Sequence, residues 1–91
     1  MLKRIHVYIS GRVQGVAFRW VTEDVARQLG VVGWVRNLRD GRVEVLAEAP
    51  EDVLKEFIKF LKRGPRYARV TDIQIEWLES TGEFRTFEIR F

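Results

Sequence analysis

The sequence predicts an α+β sandwich: one antiparallel sheet, two helices on one of its faces, the element order βαββαβ, and a short extra strand at the C-terminal end. Three observations predict it. Ile5, Val7 and Ile9 alternate with His6, Tyr8 and Ser10, and the same two-residue period returns at Ile73, Ile75 and Trp77 and at Phe87, Ile89 and Phe91. Clean alternation of this kind belongs to strands with one buried and one wet face, and such strands form antiparallel sheets. Between them, two stretches carry apolar residues at three- and four-residue spacing, the period of a helix packed by one face. The resulting order is that of the ferredoxin-like arrangement, which hosts many activities, so function has to be argued from a site.

Each element has its own signals. The first strand covers Ile5 to Ser10 and is broken by Gly11 and Gly15. Phe18, Val21, Val25 and Leu29, with Ala26 beside them, predict a helix from Phe18 to Leu29 that Gly30 stops. Val31 to Leu38 and Val43 to Ala47 read as the second and third strands. Asp40-Gly41 between them reads as a two-residue hairpin turn, since both residues tolerate positive φ. Counting back from that turn puts Asn37 opposite Glu44. Both faces of the hairpin carry apolar groups, so its inward face stays open. Pro50 sits where a first helical residue should, with Glu51 and Asp52 well placed on the helix dipole. Val53, Leu54, Phe57, Ile58 and Leu61 then form one stripe, and the second helix runs from Pro50 to Lys62 until Gly64-Pro65. The fourth strand lies around Ile73–Trp77, Ser80 to Glu83 is a turn, and the last strand lies around Phe87–Phe91.

The bulk numbers narrow the classes. A chain of 91 residues, 46% of them apolar, is expected to form one domain with a modest stability margin. No apolar run approaches the ~20 residues of a membrane span, and no signal-peptide pattern stands at the start, so no membrane partner is expected. Cysteine is absent, which excludes a disulfide, a thiolate nucleophile and a sulfur-ligated metal and fits a cytoplasmic protein. The net charge of +3 comes from 16 basic and 13 acidic residues. The excess is local: Arg36, Arg39 and Arg42 surround one turn, and Lys62, Arg63, Arg66 and Arg69 another. Such local fields suit a phosphate ligand or nucleic acid. Many charges, no cysteine, one methionine and one asparagine resemble thermophile composition, from which a melting temperature above ~70 °C is expected.

Two segments carry the chemistry. Gly11-Arg12-Val13-Gln14-Gly15-Val16-Ala17-Phe18-Arg19 must turn from a strand into a helix. Its glycines allow successive N–H groups to point inward as an anion-binding nest, and the helix start adds unpaired N–H groups and partial positive charge. Arg19 falls in the first helical turn, the wrong end for a cation by ~0.3–1 kcal/mol, a penalty that a bound dianion reverses. A guanidinium can also grip two phosphate oxygens. The same spacing equally describes a plain glycine-rich connection with a solvent-facing arginine. Asn37 is the only asparagine, on a strand where that residue is disfavoured. Its amide can hold a water without changing charge with pH, or it can simply help end the strand.

What is missing also informs. His6, the only histidine, reads as a surface residue rather than a base. No His/Asp/Glu spacing indicates a metal site, and Ser10 and Thr22 have no evident base. An enzyme built from these residues works by positioning and electrostatics, with no metal, cofactor or covalent intermediate.

At these residues the chain resembles the acylphosphatase family. Gly11 to Arg19 matches that family's substrate loop. Gly30-Val31-Val32-Gly33-Trp34-Val35-Arg36-Asn37, followed by Asp40-Gly41, matches its second signature, and Thr22-Glu23-Asp24 fits inside the first helix. The resemblance runs the full length, by pattern more than by residue after Ala49, and Phe91 stands where many members have tyrosine. It implies hydrolysis of an acyl phosphate to a carboxylate and inorganic phosphate by in-line attack of water. It implies that Arg19 binds the phosphate, that the amides of Gln14, Gly15, Val16, Ala17 and Phe18 complete the cradle, and that Asn37 orients the water. It also implies that a terminal carboxylate on Phe91 can pair with Arg19. The expected partners are a small-molecule acyl phosphate and inorganic phosphate as product and competitor, acting on a monomer.

Three rival readings remain open. An RNA-binding module shares the βαββαβ order, but Val43-Glu44-Val45-Leu46-Ala47 carries no aromatics for stacking bases, so nucleic acid is not the expected partner. A non-catalytic anion-binding domain would keep the cradle without turnover. A detached relative of the acylphosphatase-like domain of larger hydrogenase-maturation proteins would act on carbamoyl phosphate.

Overall fold

The computed structural model describes residues 1–91. The elements are β1 (Leu2–Arg12), α1 (Phe18–Leu29), β2 (Val32–Asn37), β3 (Val43–Pro50), α2 (Glu51–Arg63), β4 (Arg69–Glu79) and β5 (Phe87–Arg90). The five strands form one sheet in the order β4-β1-β3-β2-β5. Both helices pack on one face, where Ile5, Val7, Ile9, Val35, Val43, Val45 and Ala47 meet Phe18, Ala26, Leu54, Phe57 and Leu61. Burying each large side chain of this set contributes roughly 1.5–3 kcal/mol, enough to make the layer contact the main source of stability.

α1 has the bounds that its apolar spacing predicts, ended by Gly30, whose N–H reaches the carbonyls of Ala26 and Arg27. The strands β1, β3 and β4 outrun their alternating cores because each is held by neighbours along its length. Lys3 to Ile9 pairs with β3 on one side and β4 on the other. Pro50 is not the first helical residue. Its ψ of 149° is extended, it closes β3 opposite Leu2, and it caps the helix that starts at Glu51.

The β2–β3 hairpin departs from the expected register by one residue. Leu38 N–H donates to the Arg42 carbonyl and Gly41 N–H to that of Leu38. The loop therefore has three residues, Arg39, Asp40 and Gly41, with Gly41 alone in the positive-φ region at 97°. This is a turn closed by a glycine bulge rather than a two-residue turn. Asn37 consequently faces Val43, and Arg36 faces Glu44. A one-residue slip moves a side chain to the other face. It puts Asn37 with Val35 on the helix side and Arg36 with Trp34 on the open side.

Three of the four strand pairings are antiparallel, as the alternation predicts. The fourth, β5 with β2, is parallel and makes the sheet mixed. The reason is topological. β4 lies on one edge and β5 on the other, so residues 80–86 must cross below β1, β3 and β2. Glu48 on β3 holds this crossing through the N–H groups of Thr81 and Gly82, at 2.9 and 3.0 Å, and Arg4 on β1 clamps Glu48 at 2.6 Å. Glu48 is buried. Burial works against its ionisation, but the Thr81 amide and Arg4 outweigh burial and hold its pKa below the usual carboxylate value. These strand directions gather the end of β1, the end of β2, the end of β5 and the start of β4 at the opposite end of the sheet, and the site lies there.

Candidate active site

The connection from β1 to α1 folds as a cradle. Gly15 at φ 75° and Ala17 at φ 63° and ψ 21° have positive φ, unlike Gln14, Val16 and Phe18 around them. Ala17 is the only non-glycine residue with positive φ, a strain of about 1 kcal/mol or more of the kind that collects at functional sites. It stands at the N-cap position of α1, with no side-chain cap and no acidic residue in the first turn. The first intrahelical bond there runs from Val21 N–H to the Ala17 carbonyl. The N–H groups of Phe18, Arg19 and Trp20 are thus left to the mouth of the helix, where an anion is favoured.

Val13, Gly15, Ala17, Phe18, Arg19, Trp20 and Asn37 line a pocket of about 300 Å³ at this mouth. The cradle and the asparagine therefore meet, although 18 positions separate Arg19 from Asn37 in the chain. The lining contains no carboxylate and no histidine. It offers backbone amides, one guanidinium and one neutral amide, a set suited to holding an anion and a water. The Asn37 Oδ1 is buried and has no hydrogen-bond partner within the protein. A buried acceptor left this way is costly unless a ligand or water donates to it. Thr22 Oγ1, one turn into α1, is the other such oxygen.

Gln14 takes a place that its sequence context does not reveal. Its side-chain Nε2 donates to the Leu38 carbonyl at 2.7 Å and to the Arg42 carbonyl at 3.0 Å. The side chain is thus spent on fastening the loop to the hairpin. Val16 is half-buried and packs against the core, and Phe18 is buried against Phe60. Gly15, Ala17 and Arg19 remain accessible. Trp20 also lines the pocket, 60% exposed. Sequence reading passed over it because an exposed aromatic on the polar side of a helix has no periodic signal.

Phe91 reaches Arg19, but through its ring. The guanidinium carbon lies 4.9 Å from the ring centroid. Arg19 joins none of the ion pairs of the fold, so the expected carboxylate contact is replaced by an aromatic one. His6 does not line the pocket and lies on the open sheet face. It is held there by Glu44, with Nε2 and Oε2 2.6 Å apart, and Arg36 donates to the other Glu44 oxygen at 2.6 Å.

Comparison with known proteins bears on this geometry. The chain matches the acylphosphatase family model over residues 5–89. An acylphosphatase of Trichormus variabilis is 48% identical over 98% of this chain and 87% of its own length. One of Pseudomonas paraeruginosa is 54% identical over 86% of each chain. The crystal structure of acylphosphatase from Bacillus subtilis superposes with a TM-score of 0.94 at 40% identity, covering 100% of both chains.

Proposed function

The chain belongs to the acylphosphatase family and is an acylphosphatase, and from that premise we propose how its residues hydrolyse the carboxyl–phosphate bond. The substrate phosphoryl group sits in the cradle, held by Arg19 and by the amides from Gln14 to Phe18. Asn37 accepts a hydrogen bond from a water through Oδ1 and aims the water's lone pair at phosphorus, opposite the acyl oxygen. The new P–O bond forms as the P–O bond to the acyl group breaks. The electron pair of the broken bond leaves on the carboxylate, and both protons of the water stay with the product phosphate.

The single observation behind this reading is the unpartnered Asn37 Oδ1 in the wall of a pocket whose only charged side chain is Arg19. The chemistry asks for nothing more. A carboxylate leaves without a general acid, and charge in a phosphoryl-transfer transition state gathers on the oxygens that the cradle holds. Fixed donors of this kind act by electrostatic preorganisation, without a metal or a covalent intermediate. On the same reading the protein works as one domain and as a monomer in the cytosol; one copy of the chain already brings Arg19, the cradle and Asn37 into one pocket. Inorganic phosphate then competes with substrate for the cradle.

The test is benzoyl phosphate hydrolysis with chelator present, by wild type and Asn37→Ala. Chelator-resistant turnover by the wild type, a loss of about 10²–10³ in kcat in the variant and retained inhibition by phosphate are expected. Normal turnover by Asn37→Ala would sink the water-positioning role.

A further inference from the structure

We propose that a second pocket on the rim of the cradle holds the acyl group and favours one carrying a negative charge of its own. This rests on the acylphosphatase reading and adds a preference among acyl phosphates. The pocket, of about 440 Å³, is lined by Arg12, Gly15, Val16, Ala17 and Tyr67. Gly15 and Ala17 line the cradle pocket as well, so a phosphoryl group in the cradle places the atoms beyond it at the common rim.

The charges around this pocket are left open. Arg12 stands directly across from Arg69 where β1 pairs with β4, and like charges in that position repel. Neither arginine joins an ion pair, nor does Arg66, whose guanidinium lies 5.5 Å from the Tyr67 ring centroid. The other basic cluster is treated differently. Around the β2–β3 turn, Arg36 is held by Glu44 and Arg42 by Asp40. The fold thus neutralises two of the cations near one turn and leaves Arg12, Arg66 and Arg69 without a carboxylate beside the pocket. A carboxylate or phosphate on the acyl chain answers Arg12, while Val16 and Tyr67 offer apolar surface to the carbon skeleton.

The test compares benzoyl phosphate with 4-carboxybenzoyl phosphate on the wild type, Arg12→Gln and Arg39→Gln. Arg39 lies on the neighbouring turn and serves as a control of equal charge. We expect Arg12→Gln to lower the ratio of kcat/KM for the carboxylated over the plain substrate about tenfold, through KM, and Arg39→Gln to change it less than twofold. General damage to the fold lowers both substrates together and leaves the ratio alone. An unchanged ratio in Arg12→Gln overturns the subsite. Equal falls in both variants also overturn it, in favour of a diffuse basic field. Failure of the wild type to hydrolyse either substrate overturns the acylphosphatase reading itself, whereas a wild type that turns over both without preference overturns the subsite alone.

Discussion

The side-chain amide of Gln14 donates to the backbone carbonyl of Leu38 at 2.7 Å, and this bond ties the anion cradle to the strand that presents Asn37. A second bond from the same nitrogen, to the Arg42 carbonyl at 3.0 Å, spans the mouth of the hairpin. The two halves of the site come from separate elements, and Gln14 sets the distance between them.

Gln14→Ala is therefore expected to act on turnover more than on anion binding. A misplacement of about 1 Å between reacting groups can cost about 10²-fold in rate, so kcat should fall about tenfold or more while inhibition by phosphate changes little. Two lost hydrogen bonds should lower stability by about 1–2 kcal/mol. Gln14→Glu, which cannot donate, should do no better. Steady-state kinetics with benzoyl phosphate decide it, and an unchanged kcat in both variants would remove the positioning role.

Ala17→Gly should stabilise the protein. A non-glycine residue in the left-handed region costs about 1–3 kcal/mol, and glycine's greater freedom in the unfolded chain returns only about 0.5–1 kcal/mol of that. A net gain near 1 kcal/mol raises Tm by about 4–8 °C in a domain of this size. Thermal unfolding followed by circular dichroism measures it. A lower Tm would mean that the methyl group makes a contact worth more than the backbone strain.

Arg19→Ala should remove phosphate as a competitor and lower kcat/KM by about 10²–10³. Phe91→Ala should be milder. The ring faces the guanidinium at 4.9 Å, and an exposed contact of this type is worth about 0.5–1 kcal/mol, so KM should rise two- to fivefold. If Phe91→Ala matched Arg19→Ala in severity, the ring would be doing more than aiming the arginine.

The Glu48 clasp gives stability a pH dependence. The folded pKa of Glu48 lies below the ordinary 4.5, because the Thr81 amide and Arg4 outweigh the burial that opposes its ionisation. A depressed carboxylate contributes stability that is fully present above pH 4.5 and is lost as pH falls through the folded pKa. Glu44 is shifted the same way by His6 and Arg36 against burial and adds to the effect. Tm should therefore hold above about pH 5 and fall below it. Glu48→Ala should lose about 3 kcal/mol at neutral pH, since it leaves two backbone amides of the crossing without their acceptor and Arg4 with only Glu83 and Thr81. A variant as stable as wild type at pH 7 would show that the crossing needs no clasp.

Much of this architecture is legible in the residues. The spacing of Phe18, Val21, Val25 and Leu29, with Ala26 beside them, marks α1 and Gly30 ends it, although the buried face is Phe18, Thr22 and Ala26 and Leu29 is exposed. The cradle loop and Asn37 are visible as segments whose residue types need a reason. The register of the hairpin is not, because a type of turn is chosen by where φ becomes positive. Asp-Gly fits two answers, and the wrong one rotates Asn37 to the open face. The Arg4–Glu48–Thr81 clasp joins residues 33 to 77 positions apart, and no local period records such a contact. The role of Gln14 escapes for the same reason, since its partners are carbonyls and carry no residue identity. The parallel pairing of β5 follows from the crossing beneath the sheet, which only the completed topology reveals.

The central place of β1 has a kinetic consequence. It pairs with β3, so that Leu2 meets Pro50, and with β4, so that Lys3 meets Glu79. The first strand made thus waits for the fourth before it is flanked on both sides, and closing such long loops loses much chain entropy before any contact compensates. Proteins ruled by distant pairings of this sort acquire their native state in milliseconds to seconds rather than microseconds. The cradle and Asn37, both within the first half of the chain, have to wait for the second half before the sheet that supports them is complete.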